Sequence, residues 1–292
     1  MSPILRRVAR AARRYDLTWR YGFNLAPTLS YKLGRNPLTS KMKKVLADLN
    51  RDGMAVTSVQ ELRGANTCYE ELTASVVKLE QGLAERINLA RGAADDHDSI
   101  GSKTFNLELL GERPALNPQS IYARFALQRP ILQVANAYFG MYARLRYYNV
   151  WHTLATKSEA RESQLWHRDR EDQYILKLFV YCSDVDDGAG PFTYAAGSHK
   201  KGPYHYKQPD YHLEDGVRRS SDEQMAAAVP REKWIRGAGP AGTIVFADTH
   251  GYHKGGFARE RDRIMFTCMF TSPASDSKEL FELPRSIVPP AK

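Results

Sequence analysis

Apolar positions recur at helical spacing through the first half of the chain and alternate through much of the second. Near the start, Ile4, Leu5, Val8, Ala11, Ala12 and Tyr15 share one helical face, with Arg6, Arg7, Arg10, Arg13 and Arg14 on the other positions. Ser2 can cap such a helix and Pro3 suits its first position. Residues 39–51 begin at a Thr-Ser pair and stop before Gly53, which predicts a helix, and the GMAVTSV that follows reads as a short strand. Residues 69–92 predict one long helix with Leu72, Val76, Val77, Leu79, Leu83 and Ile87 on its apolar side. A loop over 93–103 and a helix over 118–138, bent at Pro130, complete this half.

After residue 140 the pattern changes to aromatic and β-branched runs bounded by Gly, Pro and Asp. YARLRYYNVWHTL, QYILKLFVYCSDV, PFTYAAGSH, GTIVFAD and RIMFTCMFTSP all read as strands. Helices first and clustered strands afterwards predict an α+β protein with a β core, the strands closing into a barrel or jelly roll behind N-terminal helices. One domain over 1–292 accommodates this: a mainly helical part over 1–139, a core over 140–272 and a tail over 273–292. Residues 200–240 interrupt the core with a polar, aromatic segment that predicts one short helix capped at Ser221 and reads as a lid or binding loop.

Composition adds little until charge is located. With 42% hydrophobic and 26% charged residues in 292, the chain is ordinary globular material. Its net charge of +9 sits at one end, because residues 1–51 carry twelve Lys or Arg against Asp16 and Asp48, which leaves the remainder near neutral. Two readings of residues 1–20 stand: a basic helix lying on an anionic membrane, or a helix packed on its own domain with a solvated Arg face. Three scattered cysteines (Cys68, Cys182, Cys268) make neither a disulfide framework nor a zinc site and fit a reducing compartment. No apolar run is long enough to span a bilayer and no secretory signal is visible, so a cytoplasmic location is expected, peripheral to the inner face of a membrane if residues 1–20 bind one.

The chemistry-bearing residues are in WHRD (166–169) and YHKGG (252–256). His167 and Asp169, two apart on an extended segment, project from one face. A second histidine from a distant strand would complete two imidazoles and a carboxylate on one face of an octahedron. That is the donor set of non-haem iron(II) oxygenases, and it leaves positions for a bidentate 2-oxo acid and dioxygen. His253 is preferred over His250 as that second histidine, and His199 reads as a structural turn residue.

The order of these features resembles the phytanoyl-CoA dioxygenase-like family over about residues 140–272. His-x-Asp at 167–169 is followed by the strand YILKLFVYCSDV, then Gly190-Pro191, then Ala196-Gly197-Ser198-His199. The distal His253 comes after Asp248, and Arg263 stands ten positions beyond His253. The resemblance implies a double-stranded β-helix (jelly roll, cupin-like), with Fe(II), 2-oxoglutarate as co-substrate and O2. It assigns iron to His167, Asp169 and His253, and the far carboxylate of 2-oxoglutarate to Arg263, for which a guanidinium is the fitting bidentate clamp. Arg259 and Arg261, in the charged turn ARERDR, read as solvated. Halogenases related to this family lack the carboxylate, so Asp169 favours hydroxylation or another hydrogen-abstraction outcome.

Further co-substrate candidates are Lys177, Tyr148, Asn149 and Thr193. Lys177 shares a strand face with Phe179 and Tyr181, and either that face or the Leu176–Leu178–Val180 face is the interior one. Trp166 and Thr193 stand beside motif positions, where packing alone also explains them. In the insertion, Tyr204, His205, Tyr206, Tyr211, His212, Arg218, Arg219 and Trp234 are candidates for substrate contact or for an ordinary exposed loop. The expected substrate is a small molecule or a lipid- or sugar-linked anion. Nucleic acid is disfavoured by the near-neutral charge beyond residue 51, and the sequence leaves the oligomeric state open. The contrasting reading is a non-catalytic membrane- or anion-binding protein on a degenerate scaffold, and the intact set of four polar groups argues against it.

Overall fold

The computed structural model describes residues 12–13, 15–62, 66–94 and 105–282. Its strands are β1 (Met54–Ser58), β2 (Asn106–Glu108), β3 (Arg144–Thr153), β4 (Leu176–Tyr181), β5 (Thr193–Ala195), β6 (His212–Glu214), β7 (Val217–Arg219), β8 (Trp234–Arg236), β9 (Thr243–Asp248), β10 (His253–Lys254) and β11 (Arg263–Thr271). Six of them form one antiparallel sheet in the order β1-β9-β4-β11-β3-β2, and a smaller sheet runs β10-β5-β8. Isolated antiparallel bridges, Trp166 to Ser220 and His167 to His253, continue the small sheet toward the β6–β7 hairpin.

Both faces of the large sheet are covered. Leu176, Leu178, Val180, Phe246, Phe266 and Phe270 point to the helices and join the main core with Leu72, Phe125 and Phe139. The opposite face, through Phe179, Tyr181, Val245 and Met265, meets Phe192 and Tyr194 of the small sheet. Each such side chain, fully buried, contributes about 1.5–3 kcal/mol, so the ground between the sheets is rigid. This settles the two-way choice on β4: the aliphatic set faces the helices, and Lys177 shares the inter-sheet face.

Boundaries differ from the sequence expectation in three places. The stretch over 69–92 is two helices, Asn66–Gly82 and Ala84–Ala94, and Val77 is exposed. Gly82 at the junction is the residue least able to hold a helix together. The stretch over 118–138 is likewise two helices, Ile121–Ala126 and Arg129–Phe139, because Pro130 lies in the first turn of the second, where it starts a helix instead of bending one. The insertion holds the helix Asp222–Ala228 with Ser221 as its cap, as its sequence predicts, but also the β6–β7 hairpin and β8, which pairs with β5. It is therefore part of the small sheet and not only a lid. The core also reaches outside 140–272, since β1 and β2 form the edges of the large sheet.

The described end of the basic N-terminal segment lies on the domain. Trp19 is buried and donates to Asp172 Oδ1 at 2.7 Å, Arg20 bonds the Phe139 carbonyl at 2.6 Å, and Arg13 pairs with Asp276 at 2.7 Å. Residues 1–11 and 14, which carry the rest of the proposed amphipathic face, lie outside the described residues, as does most of the loop over 93–103. Among the described residues, no helix is long and apolar enough to cross a membrane.

Candidate metal centre and adjoining cavity

Backbone pairing sets two histidines side by side. The His167 N–H donates to the His253 carbonyl at 2.9 Å, and the His253 N–H returns to the His167 carbonyl at 3.0 Å. Residues opposed in this way on an antiparallel ladder send their side chains to the same face, and the ring centroids are 4.3 Å apart. Asp169, two residues on from His167, keeps that face, its N–H bonded to the Thr249 carbonyl at 2.9 Å. One ligand atom from each of His167, Asp169 and His253 falls within 4.8 Å of the others.

Upstream of His253, the turn is fixed by buried Asp248, which takes the Tyr138 hydroxyl at 2.6 Å and the His250 N–H at 3.1 Å. Downstream, Gly256 meets Gly190 so closely that a Cβ on Gly256 would lie 2.1 Å from the Gly190 carbonyl oxygen. That contact explains why both YHKGG and GAGP end or turn on glycine.

The imidazoles are held ready to donate lone pairs. Nδ1 of His167 lies 2.8 Å from the Leu165 carbonyl, and Nδ1 of His253 lies 3.0 Å from the Gly251 carbonyl. A carbonyl only accepts, so each Nδ1 carries the proton and each Nε2 presents its lone pair, as in protein metal sites generally. Burial pushes both imidazoles toward the neutral form, and for His167 the neighbouring His253 adds to it. At Asp169 burial opposes ionisation, but the Lys177 ammonium outweighs it and holds the carboxyl far below the usual range. Lys177 Nζ sits 2.6 Å from Asp169 Oδ2, and despite its burial the carboxylates of Asp169 and Glu171 keep it charged. Neutral imidazoles and an ionised carboxylate are the states a divalent cation requires.

Beside this cluster lies a cavity of about 540 Å³, lined among others by Trp151, Phe179, Phe192, Lys177, Arg219 and Arg263 together with the three candidate ligands. Arg263 opens β11 and is only 3% exposed. Its contacts are long, 3.5 Å to the Gly256 carbonyl and 3.4 Å to Thr153 Oγ1, and its Nε has no partner. No carboxylate among the described residues pairs with it. A buried guanidinium without a counter-ion costs several kcal/mol, and the cavity gives it room for an anion.

The competing residues are placed elsewhere. His250 lines a second cavity and stacks 6.0 Å from His205. His199 bonds the Asn50 carbonyl at 3.2 Å. Arg261 pairs with Asp186 at 2.6 Å on the surface, and Arg259 covers the Phe257 ring.

Three co-substrate candidates need correction. The Tyr148 hydroxyl donates to the Ala115 carbonyl at 2.7 Å, and its ring belongs to the helix-side core, the opposite face of β3 from the cavity. Asn149 is buried, its amide spanning the Leu110 N–H and the Gly111 carbonyl, so both its donor and its acceptor serve a loop. Thr193 donates to the Pro191 carbonyl at 3.2 Å and does not line the cavity. Among the candidate residues of the insertion, Tyr206 and His212 are exposed, Trp234 packs tilted against Trp166 with ring centroids 4.7 Å apart, and Tyr211 and Arg218 line the second cavity, while Arg219 reaches the first, with Gly216 and Val217 beside it. Trp151 and Thr153 also line the cavity, and their period-2 spacing on β3 is the sequence signal that places them together. Phe105 and Asn106 carry no sequence signal, since only β2–β3 pairing brings them there.

No family model matches the chain, so the resemblance to phytanoyl-CoA dioxygenase-like proteins rests on its motif alone. No curated protein matches it either. Solved structures do. EctD from S. alaskensis, crystallised with 2-oxoglutarate and 5-hydroxyectoine, is 16% identical with a TM-score of 0.52, covering 89% of this chain and 93% of its own. The apo form of the same protein is 17% identical at TM-score 0.51, with 85% and 82% covered. The epimerase SnoN, in complex with Fe3+, alpha-ketoglutarate and nogalamycin RO, is 17% identical at TM-score 0.49, with 86% and 93% covered. At these identities what is shared is architecture, and the chain has the mixed helical and antiparallel-sheet fold of EctD.

Proposed function

We propose that this protein is an iron(II)- and 2-oxoglutarate-dependent oxygenase built on a double-stranded β-helix. In this reading His167, Asp169 and His253 hold the iron and Arg263 holds the distal carboxylate of 2-oxoglutarate. The observation that carries it is the convergence of three ligand atoms, in the protonation states a metal needs, on a cavity that also contains a buried, unpaired guanidinium. The fold shared with EctD, itself crystallised with 2-oxoglutarate, is the supporting comparison.

The residues fit the groups proposed for them. Two neutral nitrogens and one carboxylate suit Fe(II), and a guanidinium suits a carboxylate better than an ammonium would. When bound, iron and 2-oxoglutarate supply dioxygen activation coupled to release of succinate and CO2. The chain's own work is placement. Leu165 and Gly251 carbonyls fix the two rings, Lys177 orients the Asp169 carboxylate, and Arg263 orients the co-substrate along the cavity. Trp151, Phe179 and Phe192 keep water from the reacting region. Asp169 occupies the position that a halide would need, so hydroxylation of a C–H bond in a small-molecule substrate is the proposed outcome.

The test is succinate formation from 2-oxoglutarate under air with added Fe(II). Turnover by the wild type and none by a folded His167→Ala variant is expected. Succinate formed equally by both would reject the assignment.

A further inference from the structure

The cavity contains a second buried cation that the proposed chemistry leaves unused. Arg219 ends β7, at the close of the β6–β7 hairpin, and is 7% exposed. Its Nε and Nη1 have no hydrogen-bond partner. Glu214, Glu162 and Asp169 act on it through space, but among the described residues no carboxylate pairs with it. Backbone pairing explains why it points inward. The Trp166 N–H donates to the Ser220 carbonyl at 3.1 Å and the Ser220 N–H returns to Trp166 at 3.0 Å. One further residue of that antiparallel register sets Arg219 opposite His167, on the face that carries the metal ligands. The hairpin is held in place by Ser220 Oγ, which donates to the Asp210 carbonyl at 2.7 Å.

We propose that Arg219 is a specificity-determining residue that receives an oxyanion of the substrate, a carboxylate or a phosphate carried on an apolar body. This rests on the oxygenase reading above, which gives Arg263 to 2-oxoglutarate and leaves Arg219 for the other reactant. Three features support it. Two guanidinium donors without partners cost several kcal/mol in the free protein, and an oxyanion is the acceptor that a guanidinium binds most strongly. Phe105, Trp151, Phe179, Phe192, Val217 and Met265 give the same cavity apolar walls. Its volume of about 540 Å³ exceeds what a five-carbon diacid fills.

Binding can be read without turnover. Protein loaded anaerobically with Fe(II) and saturated with 2-oxoglutarate is titrated with phenylacetate, phenyl phosphate and the neutral phenylacetamide, and tryptophan fluorescence reports occupancy because Trp151 lines the cavity. The expected result is that at least one of the two anions binds about 10-fold or more tightly than the amide. Whichever anion binds more tightly identifies the oxyanion. Arg219→Met should lose that preference while still binding the amide, which also shows that it has folded, and Arg219→Lys should keep part of it. Equal binding of anions and amide by the wild type, or an undiminished preference in Arg219→Met, overturns the proposal. The visible charge-transfer band of the same loaded sample keeps the two readings apart. A band without anion preference rejects this inference alone, and Arg219-dependent preference without a band rejects the iron reading alone.

Discussion

Two sets of charge lie on opposite sides of the large sheet's edge, one partly exposed and one buried, and they are built differently. At the outer edge His152 sits between Asp262, at 2.6 Å, and Glu80, at 2.8 Å, and Asp262 is also gripped by Arg91 and by the Ala155 N–H. Every charge there has its counter-charge, and the cluster ties the helix pair over 66–94 to β3 and the start of β11. Burial by itself would keep His152 neutral, but the two carboxylates prevail and raise its pKa to about 9. Inside the cavity Lys177 and Asp169 pair, whereas no carboxylate among the described residues pairs with Arg263 or Arg219. Charges fully matched by the protein serve folding, whereas buried charges left unmatched await something else.

Substitutions separate the two sets most sharply. His167→Ala and Asp169→Ala should abolish turnover, measured as succinate release; His167→Ala should change the melting temperature little, whereas Asp169→Ala should lower it, because it leaves buried Lys177 without its counter-charge. Arg263→Met should raise the 2-oxoglutarate concentration for half-saturation by about 10- to 100-fold, the worth of a charge-assisted fork. The same variant should melt higher than wild type without ligands, because it removes an unpaired buried cation. A lower melting temperature would mean that Arg263 is structurally paired after all. Asp262→Asn, on the other side, should destabilise the protein by about 1–3 kcal/mol, seen in urea unfolding, with 2-oxoglutarate saturation unchanged.

The smallest expected effect is a pH dependence. The folded pKa of His152 is raised above the ordinary value of 6.5, so its contribution to stability is complete below about 6.5 and is lost as pH rises through about 9. The gap in unfolding free energy between wild type and His152→Gln should therefore shrink between those limits. A gap that widens over the same range would show His152 to be neutral when folded.

Local sequence marks, read with the motif order, were enough to single out His167, Asp169, His253 and Arg263, which the fold brings to one cavity, because each candidacy depends on a residue type at an extended or strand position: two-residue spacing for His167 and Asp169, and a strand start for Arg263. The helix at Ser221 was legible for the same reason, since a Ser-x-x-Gln box specifies its own start. What could not be read was the facing of residues on strands buried on both sides. Tyr148 and Asn149 looked like cavity residues only because alternation carries no information when neither face meets water. The hairpin that delivers Arg219 did have a signal, Asp215-Gly216, both at positive φ in a two-residue turn. It was hidden by the polarity of the segment around it. Partnering, by contrast, exists only in three dimensions, and it is partnering that distinguishes Arg263 and Arg219 from the surface arginines.

On the proposed reading, His167, Asp169 and His253 bind one ferrous ion which also takes 2-oxoglutarate. Anaerobic addition of Fe(II) and 2-oxoglutarate tests it directly. Wild type should develop a visible metal-to-ligand charge-transfer band that saturates at one iron per chain, with none in folded His253→Ala. A folded wild type that shows no band, or a His253→Ala variant that shows the same band, would contradict the account.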